Sequence, residues 1–213
     1  MLLDGLKNTA IIAVFGLFIG LIIGSLIAVV KLAPIENLFF KALKFLGDIY
    51  VALFRGTPIV VQLLLTHYVL FPLMGINIPP VFEGVITFGM NSGAYISEIM
   101  RSGILSVDKG QMEAGRSLGL SYVQTMWKIV LPQAIKNILP TLGNEFIALI
   151  KETSVVSFIT VIDIYKAFQS IANNTFEYIV PYLMLALVYL ILVIIITLIV
   201  RAIERRLRAS DKR

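Results

Sequence analysis

The stretch YIVPYLMLALVYLILVIIITLIV, residues 178–200, decides the fold class of this chain. It holds 23 residues without a formal charge and is followed by Arg201. The hydrocarbon core of a bilayer is about 30 Å thick, and a helix needs roughly 20 apolar residues to cross it. We therefore expect residues 178–200 to form a transmembrane helix and the chain to be an integral membrane protein.

The composition of the chain agrees with this expectation. Hydrophobic residues make up 58% of its 213 residues and charged residues make up 15%, whereas a soluble domain carries about 25% charged residues. The chain has no Cys and one His, which excludes a Cys-based zinc site and thiol chemistry. We predict no metal site and no cofactor.

Four further segments are long and apolar enough to be predicted as membrane spans. They are residues 8–30, 57–78, 84–105 and 135–162. The last contains several charges and is expected to break near Lys151. The first is longer than the apolar core of a signal peptide, about 7–15 residues, and is expected to stay in the mature protein. The prediction is an all-α integral membrane helical bundle of about five transmembrane helices, forming a single domain over residues 1–213.

The placement of Lys and Arg predicts the orientation. Of the 18 basic residues, 15 lie on one side of the predicted membrane, and the connection over residues 74–83 has none. They include a basic tail of Arg201, Arg205, Arg206, Arg208, Lys212 and Arg213. Basic loops stay in the cytoplasm, so the N-terminus is expected outside the cell membrane of a prokaryote and the C-terminus in the cytoplasm. This alternation accounts for the net charge of +5 without nucleic acid.

The longest polar stretch, residues 106–132, is predicted to form a cytoplasmic hairpin, called the hairpin below. Residues 108–118 favour a helix, Gly119 stands where a helix C′ glycine belongs, and Ser121 can cap a second helix that runs into Leu131-Pro132. Two interpretations stay open at this point. The hairpin is either a docking surface for a partner or an amphipathic hairpin at the membrane surface without one.

A motif falls within the hairpin. Glu113-Ala114-Gly115 is followed after three residues by Gly119, and after nine more by Ile129-Val130-Leu131-Pro132. This pattern resembles the EAA loop of binding-protein-dependent ABC import permeases, with Gly115 where the pattern has Ala. Other segments are similar to the polar amino acid subfamily: Arg55-Gly56-Thr57-Pro58 with Gln62, Gly93 to Ile99 with Arg101, Lys109-Gly110-Gln111, and Pro140 to Ser154. The resemblance covers about residues 5–205.

The resemblance implies a role for the hairpin and a set of partners. The implied coupling residues, which would dock on a cytoplasmic ATP-binding subunit, are Glu113, Ala114, Gly115, Gly119, Ile129, Leu131 and Pro132. It further implies a second permease subunit, either identical or a close relative, an external solute-binding protein, and an amino acid as the substrate. The basic tail is expected to lie near anionic membrane lipid.

The chain is not expected to be an enzyme by itself. It contains no G-x-x-x-x-G-K-[S/T] loop for phosphates, so ATP hydrolysis is expected on a separate subunit. For the single His67, a hydrogen bond to a neighbouring helix is favoured over a position on the translocation path.

Ionisable residues within the predicted spans mark candidate substrate contacts. An ionised side chain at the bilayer centre costs about 2.5–3.5 kcal/mol and must face a partner or water. Asn91-Ser92-Gly93 is predicted to interrupt the third span and free backbone groups for a ligand. The candidate substrate-binding set is Thr66, Asn91, Ser92, Tyr95, Glu98 and Asp163. Glu98 and Asp163 would favour basic amino acids, although Glu98 can instead be neutralised by Arg101, three residues on.

The function predicted from these features is an ATP-driven import permease for polar, including basic, amino acids that works by alternating access. An ion-coupled secondary amino acid transporter is the main alternative, and it would need inverted repeats that the five unequal spans do not display. A stripe of Gly16, Gly20 and Gly24 is interpreted as helix packing, because small residues at this spacing let two helices approach closely.

Overall fold

The computed structural model describes residues 1–35 and 37–209, with side chains described up to residue 206. Lys212, Arg213 and the side chain of Arg208, all part of the predicted basic tail, lie outside the described residues. Every regular element in the described ranges is helical. The predicted all-α fold is confirmed.

The helices follow one another with short connections. They are α1 (Leu2–Leu32), α2 (Leu38–Gly56), α3 (Ile59–Leu65), α4 (Phe71–Leu73), α5 (Pro80–Leu105), α6 (Lys109–Ser117), α7 (Tyr122–Thr125), α8 (Leu131–Glu152), α9 (Ile164–Thr175) and α10 (Ile179–Ala209). Two π-helical turns, Thr66–Leu70 and Met126–Val130, join α3 to α4 and α7 to α8, and a 3₁₀ helix, Thr153–Ile159, follows α8. Within the described residues, α1 and α10 are long and apolar enough to cross a membrane, and α2 with Ile59–Leu73 can form one bent span. The predicted count of about five stays a prediction.

Helices α1 and α5 form the centre of the bundle and run parallel to each other. Gly16 lies against Phe88, Gly20 against Ser92 and Gly24 against Ile96, so residue numbers rise together along both helices. A Cβ atom at position 24 would lie 2.8 Å from Cγ2 of Ile96, closer than a van der Waals contact allows. The glycine stripe is therefore a packing surface, as predicted.

The predicted second span, residues 57–78, covers the second arm of a bent helix pair that can form one span, and its bounds stay a prediction. The helical path begins at Leu38, and α2 is bent by 106° against Ile59–Leu73. The break falls at residues 56–58, because Pro58 has no N–H to continue the helix and restricts the residue before it. Thr57 accordingly has extended backbone, with φ −123° and ψ 145°.

The predicted interruption at Asn91-Ser92-Gly93 is wrong, since α5 continues through it. Gly93 is there for close packing instead: a Cβ atom on it would lie 3.0 Å from Cβ of Ile23 in α1. A helix break is found instead in the segment next to α5, at residues 56–58.

The hairpin and the predicted fourth span, residues 135–162, form one helical path. The second hairpin helix does not end at Leu131-Pro132, because the π turn Met126–Val130 leads directly into α8. Pro132 lies in the first turn of α8, and the wider π turn before it accommodates the ring that would clash with an α-helical carbonyl. The path leaves α-helical geometry after Glu152, close to the break expected near Lys151.

The apolar core lies where α1, α3, α5, α8 and the 3₁₀ helix meet. Its fully buried members include Ile12, Leu63 and Val156, each with 0% exposed surface. Helix α10 packs on α8 where Gly143 contacts Val200, and much of its remaining surface exposes large apolar side chains. Such a surface is suited to lipid.

Candidate translocation and coupling sites

The break at residues 56–58 leaves backbone carbonyl groups without helical partners, and two amide side chains satisfy them. The Gln62 Nε2 donates to the carbonyl oxygen of Phe54 at 2.8 Å and to that of Thr57 at 3.0 Å. The Asn91 Nδ2 donates to Oε1 of Gln62 at 3.0 Å and to the Phe54 carbonyl at 3.3 Å. These bonds fix the break against the middle of α5.

The register between α1 and α5 shows how far along the bundle the break and its hydrogen bonds lie. Gly20 is at the centre of the predicted span 8–30 and lies against Ser92. Asn91 is the residue before Ser92 on α5. The break and its hydrogen bonds therefore lie level with the centre of this predicted span, and this height in the bundle is called the mid-membrane level below.

Two ionisable side chains of opposite charge lie at the same level. The Arg55 guanidinium is stacked over the Tyr95 ring, 5.3 Å from its centroid. On the other side, Ser92 Oγ donates to Oε1 of Glu145 at 3.0 Å. Glu145 belongs to α8, so three segments of the chain, α2, α5 and α8, contribute polar groups to this level.

The six predicted substrate residues do not form one site. Asn91, Ser92 and Tyr95 lie at the mid-membrane level, and Thr66 is linked to them because its Oγ1 donates to the Gln62 carbonyl at 2.9 Å. Glu98 and Asp163 are at opposite ends of α1. Glu98 contacts Lys31, whereas the backbone of Asp163 lies on Gly5.

The distance along α1 corrects the hypothesis that Glu98 and Asp163 act together. Gly5 and Lys31 are 26 positions apart, which corresponds to about 39 Å along a helix axis. Two carboxylates that far apart cannot contact one amino acid.

Two basic side chains of the same chain neutralise the carboxylate of Glu98. It accepts from Lys31 Nζ at 2.9 Å and from Arg101 Nη2 at 2.9 Å, and Lys31 also bridges to Asp48 of α2 at 2.8 Å. The alternative interpretation, neutralisation by Arg101, is therefore the one that matches the geometry, with Lys31 as a second partner. This ionic cluster ties α1, α2 and α5 together at the end of the bundle that carries the hairpin.

Asp163 is the N-cap of α9 and has 0% exposed surface. Its two carboxylate oxygens accept from the backbone N–H groups of Tyr165 at 3.1 Å and Lys166 at 2.8 Å. Neighbouring Ile162 is tied to α1, because Asn8 Nδ2 donates to its carbonyl at 2.8 Å. The geometry thus gives Asp163 a structural role that its sequence position did not reveal.

His67 has the partner expected for a structural histidine. Its Nδ1 is hydrogen-bonded to Oε2 of Glu83 in the first turn of α5. Glu83 is buried, with 6% exposed surface, so the pair satisfies a carboxylate that would otherwise be isolated.

The hairpin has the local signals predicted for it. Gly119 has φ +83°, a backbone conformation that favours glycine. Leu120 N donates to the Gly115 carbonyl at 3.2 Å and Gly119 N to the Arg116 carbonyl at 3.0 Å, which is the Schellman arrangement. Ser121 caps α7 through a capping box with Gln124.

Gly115, the one departure from the EAA pattern, has a spatial cause. A Cβ atom on it would lie 2.4 Å from Cγ2 of Thr125 and 3.1 Å from Cδ1 of Ile129. Glycine therefore lets α6 pack closely on the path that leads into α8. Glu113 and Ala114, by contrast, are exposed.

The outer face of the hairpin is unusually apolar for a polar segment. Leu118 is 81% exposed, Trp127 66% and Val123 62%. The opposite face is attached to the bundle, where Tyr122 Oη donates to the Leu32 carbonyl at 3.4 Å and Asn137 Nδ2 to Ser106 Oγ at 2.9 Å. Exposed aromatic and aliphatic side chains beside a charged residue are typical of a protein interface.

Three side chains at the mid-membrane level fall outside the predicted substrate set: Arg55, Gln62 and Glu145. A signal for the first two is present in the sequence. Arg55-Gly56-Thr57-Pro58 is a helix-breaking sequence, and a break at membrane depth needs polar groups to satisfy it. For Glu145, the sequence gives the charge but not the partner.

Known proteins similar to this chain agree with the geometry. A family model, described as "Binding-protein-dependent transport system inner membrane component", matches residues 16–209. The arginine transport system permease protein ArtQ of Bacillus subtilis (strain 168) is 38% identical over 99% of this chain and 94% of its own length. A putative glutamine transport system permease protein GlnP of Rickettsia bellii (strain RML369-C) is 40% identical over 98% of this chain and 94% of its own length.

Solved structures show the same fold. A crystal structure of an amino acid ABC transporter with histidines has a TM-score of 0.87 and 38% identity, over 96% of this chain and 93% of that one. The MetNI methionine ABC transporter in an inward-facing conformation has a TM-score of 0.74 over 97% of this chain and 94% of that one, at 18% identity, and supports the fold alone. Nothing in these comparisons supports an ion-coupled transporter. The chain therefore belongs to the binding-protein-dependent transport system inner membrane components, the non-enzymatic permease subunits of ABC importers, which work with a separate ATP-binding subunit and a binding protein.

Proposed function

We propose that this chain is the permease subunit of an importer for polar amino acids, driven by ATP and working by alternating access. The observation that carries the proposal is the single helical path from Tyr122 through Glu152. It connects the exposed hairpin to Glu145 at the middle of the membrane. The similar permeases described above are named as transport proteins for arginine and glutamine, which supports the substrate class.

The hairpin is the part of the permease that the ATP-binding subunit displaces. ATP binding draws two ATP-binding subunits together, and the hairpin follows the subunit on which it docks. Because α6 packs on Thr125 through Gly115, a displacement of the hairpin is passed to α8. The substrate path beside Ser92 and Glu145 then opens to one side of the membrane or the other.

Within the coupling set, the residues have different tasks. Glu113, Ala114 and Pro132 are exposed, so they are proposed to contact the ATP-binding subunit. Gly115, Gly119, Ile129 and Leu131 shape the hairpin and its continuation into α8.

For the substrate path we propose the mid-membrane level, with Thr66, Asn91, Ser92 and Tyr95. Glu98 and Asp163 are left out of this path, because their carboxylates are already bonded within the chain. A preference for basic amino acids therefore has no support from these two residues.

The assembly and its orientation complete the proposal. A second permease subunit, identical or a close relative, forms the other wall of the path. The N-terminus is outside, the hairpin and the basic tail are cytoplasmic, and the binding protein docks at the outer side. The positive-inside distribution of Lys and Arg supports this orientation.

The function is tested in proteoliposomes that contain the chain, its ATP-binding subunit and its binding protein. We expect uptake of labelled L-arginine or L-glutamine that requires ATP on the hairpin side and survives an uncoupler. Glu113→Lys places a cation in the docking surface and should lower uptake by about 10-fold or more. The control is Glu177→Lys, an exposed glutamate in the connection between α9 and α10, which should behave as wild type.

Two results would contradict the proposal. Uptake that collapses with the uncoupler while ATP is maintained would favour the ion-coupled alternative. Normal uptake by the Glu113→Lys variant would remove the hairpin from the coupling mechanism.

A further inference from the structure

We propose that Arg55 and Glu145 form a clamp for the zwitterionic head of the substrate, with the guanidinium binding the carboxylate and the Glu145 carboxylate binding the α-ammonium. The inference rests on the proposed function and assigns the binding groups within it. It concerns the part common to all amino acids, not the side chain.

Arg55 has a position that its local structure does not explain. It is exposed, yet it lies at mid-membrane depth, because neighbouring Phe54 is bonded to Asn91. An ionised arginine there cannot face lipid without a large cost, so it faces a water-accessible path. Among the described residues its guanidinium has no hydrogen-bond or ion-pair partner; it only stacks on Tyr95 at 5.3 Å. Its five donors, arranged as a fork that fits a carboxylate, remain available.

Glu145 offers the complementary group. Its Oε1 accepts from Ser92 Oγ at 3.0 Å, and within the described residues Oε2 has no hydrogen-bond partner. The residue is half-buried, so Oε2 is an acceptor with little competition from bulk water. An ammonium group is a suitable donor for it.

The two groups attract each other without touching. Ser92, which binds Glu145, and Tyr95, which supports Arg55, are three residues apart on one face of α5, and the described side chains form no direct ion pair between Arg55 and Glu145. Two opposite charges that do not pair with each other, each with unused hydrogen-bonding capacity, are chemically complementary to the carboxylate and ammonium of an amino acid. Glu152 is seven residues further along α8, on the same face of the helix, and is a second acidic group on this side.

Neighbouring side chains hold the Arg55 guanidinium and the Glu145 carboxylate in place. Tyr95 supports the flat face of the guanidinium by a cation–π contact. Gln62 and Asn91 fix the backbone at the break, directly after Arg55. Ser92 orients the Glu145 carboxylate. Because α8 carries Glu145 and α2 carries Arg55, movement of α8 with the hairpin would widen or close the clamp, which links substrate release to the ATP cycle.

The test uses the full complex in proteoliposomes, with L-arginine and L-glutamine as probes. Arg55→Met keeps the aliphatic stem, and Glu145→Gln keeps an acceptor for Ser92. Each should lower the uptake of any probe that the wild type transports by about 10-fold or more, since a lost charge-assisted hydrogen bond has about that effect. Arg55→Lys should be less impaired than Arg55→Met. Lys7→Met, an exposed cation of α1, is the control and should match wild type.

A second readout separates binding from folding and coupling. ATP hydrolysis stimulated by the binding protein should change less than about 2-fold in Arg55→Met and Glu145→Gln, because the hairpin is untouched. A merely structural role would lower hydrolysis and uptake together and overturn the inference. Wild-type uptake by Arg55→Met, or loss of uptake for one probe when the wild type transports both, would also overturn it. If the wild type shows no ATP-dependent uptake, the proposed function fails first and the clamp falls with it.

Discussion

The α1–α5 interface and the hairpin both depend on glycine, but in opposite ways. At the interface, Gly20 and Gly24 bring two long helices so close that added Cβ atoms would meet backbone nitrogen atoms of α5, 3.1 Å from Gly93 N and 2.9 Å from Ser97 N. In the hairpin, Gly115 approaches the side chain of Thr125, and Gly119 only turns the chain, with nothing within 4 Å of an added Cβ.

This difference identifies the α1–α5 interface as a fixed part of the molecule and the hairpin as a part that can move. Backbone contacts between two long helices cannot relax without separating the helices, whereas a side-chain contact in a short exposed hairpin relaxes locally. We therefore expect damage at the α1–α5 interface to destabilise the whole chain. Damage at the hairpin should change how motion is passed on, with little effect on global stability.

The largest expected effect on stability is that of Gly24→Ala. The new Cβ would lie 2.8 Å from Ile96 Cγ2 and 2.9 Å from Ser97 N, so the helices must move apart. We expect a loss of about 1–3 kcal/mol in the free energy of unfolding, measured by denaturation in detergent. Gly47→Ala is the matched control, since its Cβ would make an ordinary contact of 3.5 Å with Ile27. Equal stability of the two variants would contradict the comparison.

The next effect concerns Asp163, which joins the fixed part through its contact with Gly5. Asp163→Ala removes the cap of α9 and should lower stability by about 1 kcal/mol. Asp163→Asn keeps one of the two accepting oxygens, so it should lose less stability than Asp163→Ala and retain amino acid uptake. If Asp163→Asn folds normally but loses uptake of L-arginine, its carboxylate acts on the substrate after all and the structural role is insufficient.

The smallest expected effect on stability is that of Gly115→Ala, which tests the hairpin. The added Cβ meets side-chain atoms alone, Thr125 Cγ2 at 2.4 Å and Ile129 Cδ1 at 3.1 Å, so we expect a change of less than about 0.5 kcal/mol in global unfolding. Coupled uptake should still fall, by about 3- to 5-fold, because α6 is pushed away from the path into α8. Thr125→Ser removes the methyl group in question and should restore uptake in the double variant. Failure of that rescue would argue against direct transmission from Gly115 to Thr125.

Several features follow from the sequence because they depend on neighbours along the chain. The apolar run of residues 178–200 becomes α10, since hydropathy and length alone decide membrane insertion. Gly119 and Ser121 act within one turn of their own positions, and the structure confirms both. The EAA-like motif identifies the family, because its spacing is a property of the sequence itself.

Other features exist only once the chain is folded. Lys31 meets Glu98 across 67 positions, and Ser92 meets Glu145 across 53. No local pattern encodes such a pairing, because it depends on which helix faces lie together. The separation of Glu98 from Asp163 is of the same kind: both are carboxylates near predicted spans, and only their contacts with opposite ends of α1 show that they are far apart.

The helix break makes the division clear. By sequence alone, Asn91-Ser92-Gly93 and Gly56-Thr57-Pro58 are both suited to interrupt a span. The fold decides between them, because Gly93 is used for close contact with α1 and leaves α5 intact, whereas Pro58 has no N–H to give. The sequence therefore determined that this is a membrane permease with a coupling hairpin. Packing between distant segments decided where its polar centre lies, since hydrogen bonds and charges take their partners from three dimensions.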